Sequence, residues 1–383
     1  MNDTWLDSDV GPLPDSDEDH VARLVWVWAS PLIFGVGILG NSLSLVVFCR
    51  MGFGRSPTNV YLSCVATADN GVLLLGLLQQ WLKQSGIVVL HELCPFACQV
   101  KYFCAFTSGD TAIWLLAVFT ADRAAAVRFP LRSFRATGTR CVLATCACVL
   151  ACACAKNAHV FWTRGAVVDA DSGALVSNCA SVSGYEDFEA FVRPWIAFSV
   201  VSVAPLVVVL VSNAVIVRVL VGYHDRQRMN IIMSNAERHF RQTTFMCLAV
   251  SVAFFVCVTP NFALLIGRPY WEEAVADRSV LNVTDAVDNL LLYVNHSVNF
   301  LLYCMAGSVF RKELVAMFTG SSRRVESSTE SDSRRVLRWV RGLPQHQMVA
   351  VVPLDSVAGS SNVDNCNKET VTQETDVRQS TRL

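Results

Sequence analysis

Charge is what this sequence is short of. Asp, Glu, Lys and Arg make up 16% of its 383 residues, against about 25% in a soluble domain. Apolar residues make up 53%, and the mean hydropathy is +0.40. The deficit excludes an ordinary water-soluble globule and points to lipid as the solvent. Net charge is −1, so the basic surface that a nucleic-acid partner needs is missing, and no such partner is expected. A basic amino-terminal leader is also missing. The first residues are acidic instead (Asp3, Asp7, Asp9, Asp15, Asp17, Glu18, Asp19), which argues against a cleaved secretory signal. The first apolar run is expected to serve as its own insertion signal. The cysteines lack what a metal site requires. Cys146, Cys148, Cys152 and Cys154 lie in an apolar run with no accompanying histidine pair, where cysteine acts as a small hydrophobe. No metal is expected.

What is present is a series of apolar runs. A spanning helix needs about 20 mostly apolar residues, and seven stretches qualify: Val25–Cys49, Asn59–Leu82, Cys98–Ala121, Cys141–Trp162, Pro194–Val217, Thr243–Ile266 and Ala286–Ala306. Ser308–Phe318 follows, with Phe310, Leu314, Met317 and Phe318 apolar and Arg311 and Lys312 polar. It reads as a short amphipathic helix lying on the inner membrane surface. The expected fold is therefore an all-α integral membrane protein, a seven-transmembrane helix bundle with a short amphipathic helix after span seven. Residues 1–24 read as an acidic extracellular tail, 25–318 as the membrane domain, and 319–383 as a polar, disordered cytoplasmic tail.

Orientation follows from the basic loops. Arg50 and Arg55 follow span one, Arg123 to Arg140 follow span three, and Arg218 to Arg241 follow span five. The alternate loops carry Asp169, Asp171, Glu186, Asp187, Glu189, Glu272, Glu273, Asp277 and Asp285. The amino terminus is expected outside and the carboxyl terminus in the cytoplasm. Asn2 and Asn282 then stand as glycosylation acceptors on the outer side.

Charge inside the spans is confined to Asp69, Lys101, Asp110, Lys156 and Asp288. One such charge costs about 2.5–3.5 kcal/mol on insertion scales. Asp69, near the middle of span two, therefore calls for polar company. Asn41 in span one and Asn295 and Asn299 in span seven stand at matching depth, so the four are expected to form a buried polar cluster that holds water or a small cation. Pro205 and Pro260 interrupt spans five and six and favour kinks. Cys98 opens span three and Cys179 lies in the long outer loop, where a disulfide would persist. Cys94 competes as the partner, and the sequence leaves that choice open.

Taken in order, these pieces are recognisable. Gly40-Asn41, Asn59-xx-Leu62-xxx-Ala66-xx-Asp69, Cys98, Asp122-Arg123, Pro205, Phe254-xx-Cys257-xx-Pro260 and Asn299-Phe300-xx-Tyr303 resemble, over residues 25–318, the rhodopsin-like (class A) G-protein-coupled receptors. Three further segments resemble peptide receptors, especially the invertebrate FMRFamide-receptor-like group. They are Trp114–Arg123, Asn157-x-His159-x-Phe161-Trp162-Thr163 and Asn295-xxx-Asn299–Cys304.

The resemblance implies a plasma-membrane receptor and not an enzyme. An extracellular ligand, a neuropeptide by the subgroup likeness, would favour a state in which span six swings out and Arg123 meets a heterotrimeric G protein. Asp122, Arg123, Asn299 and Tyr303 would form the coupling switch. Tyr102, Phe106, His159, Trp195, Phe262, Leu265, Asp285, Asn289 and Tyr293 are the pocket candidates by position. The resemblance also implies sodium at Asp69, which the family's span-three serine would help hold; here that position is Ala112. Other departures are Ala124 after Asp-Arg, Asn213 for the span-five tyrosine, Val258 for the span-six tryptophan and Phe300 for the span-seven proline. The span-four tryptophan is missing, and Phe240 replaces an acid low on span six, with Glu237 nearby.

Absences narrow the ligand. Span seven has no lysine, which excludes a retinal Schiff base. Ala105 stands where amine receptors carry an aspartate. The acidic outer loops favour a basic or amidated peptide. Glu326–Ser333 would offer arrestin a phosphorylated handle, Thr381–Leu383 fits a PDZ domain, and Arg334–Leu343 and the basic loops suit anionic lipid. The competing readings are a non-signalling receptor-like scaffold, a lipid or small-molecule receptor, and a seven-span transporter. A transporter would want several paired intramembrane charges or an internal repeat.

Overall fold

The computed structural model describes residues 17–52, 56–89, 94–129, 138–168, 175–227, 248–249, 251–261, 264, 266–267 and 278–319. In lipid every backbone N–H must be satisfied within its own segment, so long apolar runs become helices. The described helices are α1 (Asp17–Arg50), α2 (Pro57–Gln84), α3 (Pro95–Arg128), α4 (Thr139–Thr163), α5 (Phe188–Val219), α6 (Ser251–Asn261), α7 (Arg278–Ser297), α8 (Asn299–Ala306) and α9 (Ser308–Phe318). Among the described residues, the first five are long and apolar enough to cross a membrane, and α6 is a shorter apolar helix. α1 begins at Asp17, ahead of the apolar run that opens at Val25, and Arg23 Nε donates to Gln84 O at 3.1 Å from that extension.

α1 packs along α7, α2 along α3, and α3 along both α4 and α5. Between helices in lipid the driving force is close packing, so small residues gather where backbones approach. A Cβ on Gly37 would lie 2.5 Å from Ser297 Oγ, one on Gly40 would lie 2.8 Å from Phe300 Cβ, and one on Gly71 would lie 2.5 Å from Ser108 Oγ. α1 thus meets α7 and α8 through two glycines one turn apart, and α2 meets α3 through a third.

At Pro205, where the sequence predicts a kink, α5 carries a widened turn. Pro205 has no N–H, and its ring presses on the carbonyl four residues back. The turn ahead of it, Phe198–Val203, opens to π geometry. Span seven breaks at Val298, between α7 and α8, although Phe300 stands in place of the family's proline. Ser297 Oγ donates back to Tyr293 O at 2.9 Å, and such back-bonding bends helices.

Among the described residues, one stretch departs from all-α. Arg164–Val168 (β1) and Leu175–Ser181 (β2) pair antiparallel, with Arg164 opposite Ser181 and Val168 opposite Leu175. This stretch lies outside the apolar runs, and strand pairing satisfies its backbone groups. A disulfide joins Cys98 on α3 to Cys179 on β2, with Cα atoms 5.5 Å apart, while Cys94 is free and exposed. Gln99 Nε2 adds hydrogen bonds to Phe161 O (3.0 Å) and Arg164 O (2.9 Å). The hairpin is therefore clamped to the start of α3.

Two buried apolar clusters stack along the bundle. One lies towards the hairpin and includes Trp26, Tyr102, Phe106, Val258, Leu290 and Tyr293. The other includes Phe48, Tyr61, Leu115, Phe119, Tyr303 and Phe310. Replacing Cys179 by Ala is expected to cost about 2–4 kcal/mol and to lower the melting temperature of the detergent-solubilised protein. Cys94→Ala should leave it unchanged. A thermal unfolding scan of the two variants checks this.

Candidate functional site

Among the described residues the most deeply buried carboxylate is Asp69 on α2, 1% exposed. Both its oxygens are engaged by span seven. His296 Nδ1 lies 2.8 Å from Oδ1, and Asn299 Nδ2 donates to Oδ2 at 2.7 Å. Asn41 Nδ2 on α1 donates to the His296 carbonyl at 3.0 Å. α7 and α8 meet α2 at this carboxylate, and α1 bonds the backbone beside it. The sequence points to Asn295 as a member; the hydrogen bonds to Asp69 come instead from His296 and Asn299, and Asn295 is buried one position earlier. Adjacent helical residues point about 100° apart, so only one of the two can face α2.

Phe300 takes the proline's position and fills it with packing. It lies against Gly40 of α1 and edge-on to Phe310 of α9, ring centroids 5.9 Å apart. Tyr303 packs against Phe48 (5.7 Å) and Phe310 (5.9 Å). Arg311 Nη1 donates to Cys304 O (2.6 Å) and Met305 O (2.7 Å), and Arg50 pairs with Glu313 at 3.0 Å. The amphipathic helix is thereby tied to both α8 and α1.

At the same end of the bundle, Arg123 Nη2 lies 2.7 Å from Asp122 Oδ2, with side chains 23% and 16% exposed, and its guanidinium stands 5.5 Å from the Phe119 ring centre. The arginine is folded back on its neighbour. The other departures from the family pattern are placed as follows. Asn213 Nδ2 donates to Ser251 Oγ at 2.6 Å, joining α5 to α6. Val258 is fully buried beside Phe254 in the apolar cluster. Phe240 and Glu237 lie outside the described residues.

Towards the hairpin the pocket candidates separate into groups. Tyr102 and Phe106 stack at 5.8 Å and share a buried cluster with Tyr293, which meets Trp26 edge-on at 6.3 Å. Asn289 is buried and donates to Asp285 O at 2.8 Å. His159 packs edge-on against Phe188 at 5.5 Å. Trp195 is 52% exposed and packs on Phe198 of its own helix. Phe262, Leu265 and Asn2 lie outside the described residues, as do Glu272, Glu273, Asp277 and the tail from residue 320. Asn282 is half-buried on the first turns of α7.

Charges that stand alone in the sequence are paired in the fold. Asp110 on α3 meets Lys156 Nζ of α4 at 3.1 Å and accepts from Asn157 Nδ2 at 2.7 Å. Asn157 Nδ2 also reaches Ala153 O at 3.0 Å, satisfying a carbonyl at the end of the helical run. Asp288 on α7 accepts from Asn261 Nδ2 of α6 at 2.9 Å. Beneath the hairpin, Glu189 forms an ion pair with Arg193 Nε at 2.6 Å and lies 4.0 Å from Arg164. Arg164 and Lys101 both face the Tyr102 ring, at 4.2 and 3.6 Å from its centre. Sequence reading flags Asp110, Lys156 and Asp288 as intramembrane charges but misses these partners and the buried Arg164–Glu189–Arg193 group.

Residues 40–303 match the family model described as "7 transmembrane receptor (rhodopsin family)". The chain belongs to that family. Among similar proteins, bombesin receptor subtype-3 of Ovis aries is 25% identical over 337 residues, covering 83% of this chain and 81% of the relative. The [Phe13]-bombesin receptor of Bombina orientalis is 23% identical over 341 residues, 85% of each chain. The FMRFamide receptor of Drosophila melanogaster is 24% identical over 302 residues, 75% of this chain and 52% of the relative. A member of the rhodopsin family is a multi-pass membrane receptor that couples to a G protein, not an enzyme.

In this rhodopsin-family chain the Asp110–Lys156 pair joins α3 to α4. Its side chains are 5% and 24% exposed, so stripping one charge leaves the other in apolar surroundings. Lys156→Met is expected to cost about 3–5 kcal/mol. The double variant Asp110→Asn, Lys156→Met should recover most of that loss. Melting temperatures of the solubilised receptor measure both.

Proposed function

We propose that this chain is a receptor for an extracellular peptide, and that ligand binding drives a heterotrimeric G protein at the opposite end. The observation that carries the reading is the Asp122–Arg123 latch at 2.7 Å, set in a bundle of the family whose similar members include bombesin and FMRFamide receptors. In this reading the hairpin end faces outside. The disulfide-clamped hairpin forms the roof of the ligand entrance. Tyr102, Phe106, Asn289 and Tyr293 form its floor, with His159, Trp195 and Asp285 towards the rim. Asn2 and Asn282 lie on the glycosylated side.

A ligand shifts such a bundle only by binding one state better than the other. Activation therefore requires that Asp122 release Arg123 when span six moves. Asn213–Ser251, at 2.6 Å, supports a role for Asn213 in joining spans five and six in the latched state. Acids of the outer loops favour a basic or amidated peptide. The basic loops on the other side dock the G protein and anionic lipid. Glu326–Ser333, once phosphorylated, recruits arrestin, and Thr381–Leu383 adds as an edge strand to a PDZ domain.

Cells expressing the chain and challenged with amidated peptides should give a calcium or cAMP response. Arg123→Ala should abolish that response with surface expression unchanged. A ligand-gated current that persists in Arg123→Ala would contradict receptor action through a G protein.

A further inference from the structure

The surroundings of Asp69 do not suit a bound sodium ion. A hard cation wants a shell of oxygen atoms, and the groups that close on this carboxylate present nitrogen. Oδ1 meets the His296 imidazole at 2.8 Å, and Oδ2 meets the Asn299 amide nitrogen at 2.7 Å. The span-three position that would offer a hydroxyl is Ala112, which is buried and has no polar side-chain atom. Asn41 directs its amide nitrogen to the His296 carbonyl at 3.0 Å and so fixes the residue that faces the carboxylate. Asn41 Oδ1 is a buried oxygen without a hydrogen-bond partner, but one neutral oxygen does not complete a cation shell.

We infer that His296 is the built-in partner of Asp69, standing where a cation would otherwise bind, so that this receptor joins spans two and seven through an imidazole–carboxylate pair and does not use sodium. A hydrogen bond across the 2.8 Å contact places one hydrogen between Nδ1 and Oδ1. A charged carboxylate has only lone pairs to offer, so Nδ1 must then carry the hydrogen; a protonated carboxyl would donate to a bare Nδ1 instead. Either arrangement satisfies the buried acid without an ion from solvent. The two side chains are 3% and 1% exposed, so water does not compete for the contact.

The position of His296 makes the pair mechanical as well as electrostatic. Its carbonyl is gripped by α1 and its ring by α2. The next residue, Ser297, abuts Gly37 of α1, and the helix breaks immediately afterwards at Val298. A bound ion can leave when the bundle changes state. A covalently tethered imidazole cannot, so any rearrangement of span seven must carry His296 with it or break its bond to Asp69.

The test uses the full-length receptor purified in detergent, with melting temperature read in sodium chloride and in equimolar choline chloride. The wild type should melt at the same temperature in both salts. His296→Ser, which opens the space and adds an oxygen, should melt lower than wild type in choline and regain part of the loss in sodium. Asp69→Asn should remove any sodium effect from that variant. A wild type that sodium stabilises over choline, with the effect lost in Asp69→Asn, would overturn the inference even if His296→Ser failed to fold. A His296→Ser receptor that melts like wild type in both salts would overturn it as well.

Discussion

The bundle depends on a single buried carboxylate. Asp69 lies in the apolar middle of α2, where its charge is costly, and the fold surrounds it rather than excluding it. His296 and Asn299 bond its two oxygens, and Asn41 bonds the backbone between them. Through those contacts the break in span seven, the approach of α1 and the register of α2 become one problem with one solution. The glycines follow from it. Gly37 and Gly40 let α1 come close enough for Asn41 to reach the His296 carbonyl, with Ser297 and Phe300 filling the space that side chains would have taken. Phe300 in turn meets Phe310, so the short amphipathic helix is positioned by the same contact line.

The two ends of the molecule are built differently. Towards the hairpin, covalent and ionic clamps dominate: the Cys98–Cys179 bond joins α3 to the hairpin, the Asp110–Lys156 pair joins α3 to α4, and Glu189 of α5 lies 4.0 Å from Arg164 of β1. At the other end, among the described residues, Arg123 meets its neighbour Asp122 and the Phe119 ring. In the proposed reading, a clamped hairpin half and an Asp122–Arg123 latch at the opposite end suit a two-state receptor, because a ligand moves such a bundle only by its difference in affinity for the two states.

What was legible in the sequence was whatever needs no knowledge of helix rotation. The apolar runs set where α1 to α5 lie, and the motif order carried the family. Asp69 and Asn299 stood out because polar groups are rare in such runs. Cys179 rather than Cys94 as the partner of Cys98 needed the hairpin to be seen, since only its register brings Cys179 within 5.5 Å (Cα–Cα). The strand pair is hard to read because its two strands are short, carry little alternation and are separated in sequence by a polar stretch. His296 rather than Asn295 depended on which way α7 faces. Asp110 and Lys156 were visible as charges, but their pairing depends on how α3 and α4 are rotated against each other. Phe300 was visible as a lost proline, whereas its compensation by Gly40 lies in another helix.

The central claim is that Asp69 and His296 act as one joint between spans two and seven. A double-mutant cycle on the solubilised receptor, with Asp69→Asn, His296→Ala and both together, measures it through unfolding free energies. A shared joint predicts that the double variant loses less than the sum of the two single losses, by about 1 kcal/mol or more. Losses that simply add would contradict it.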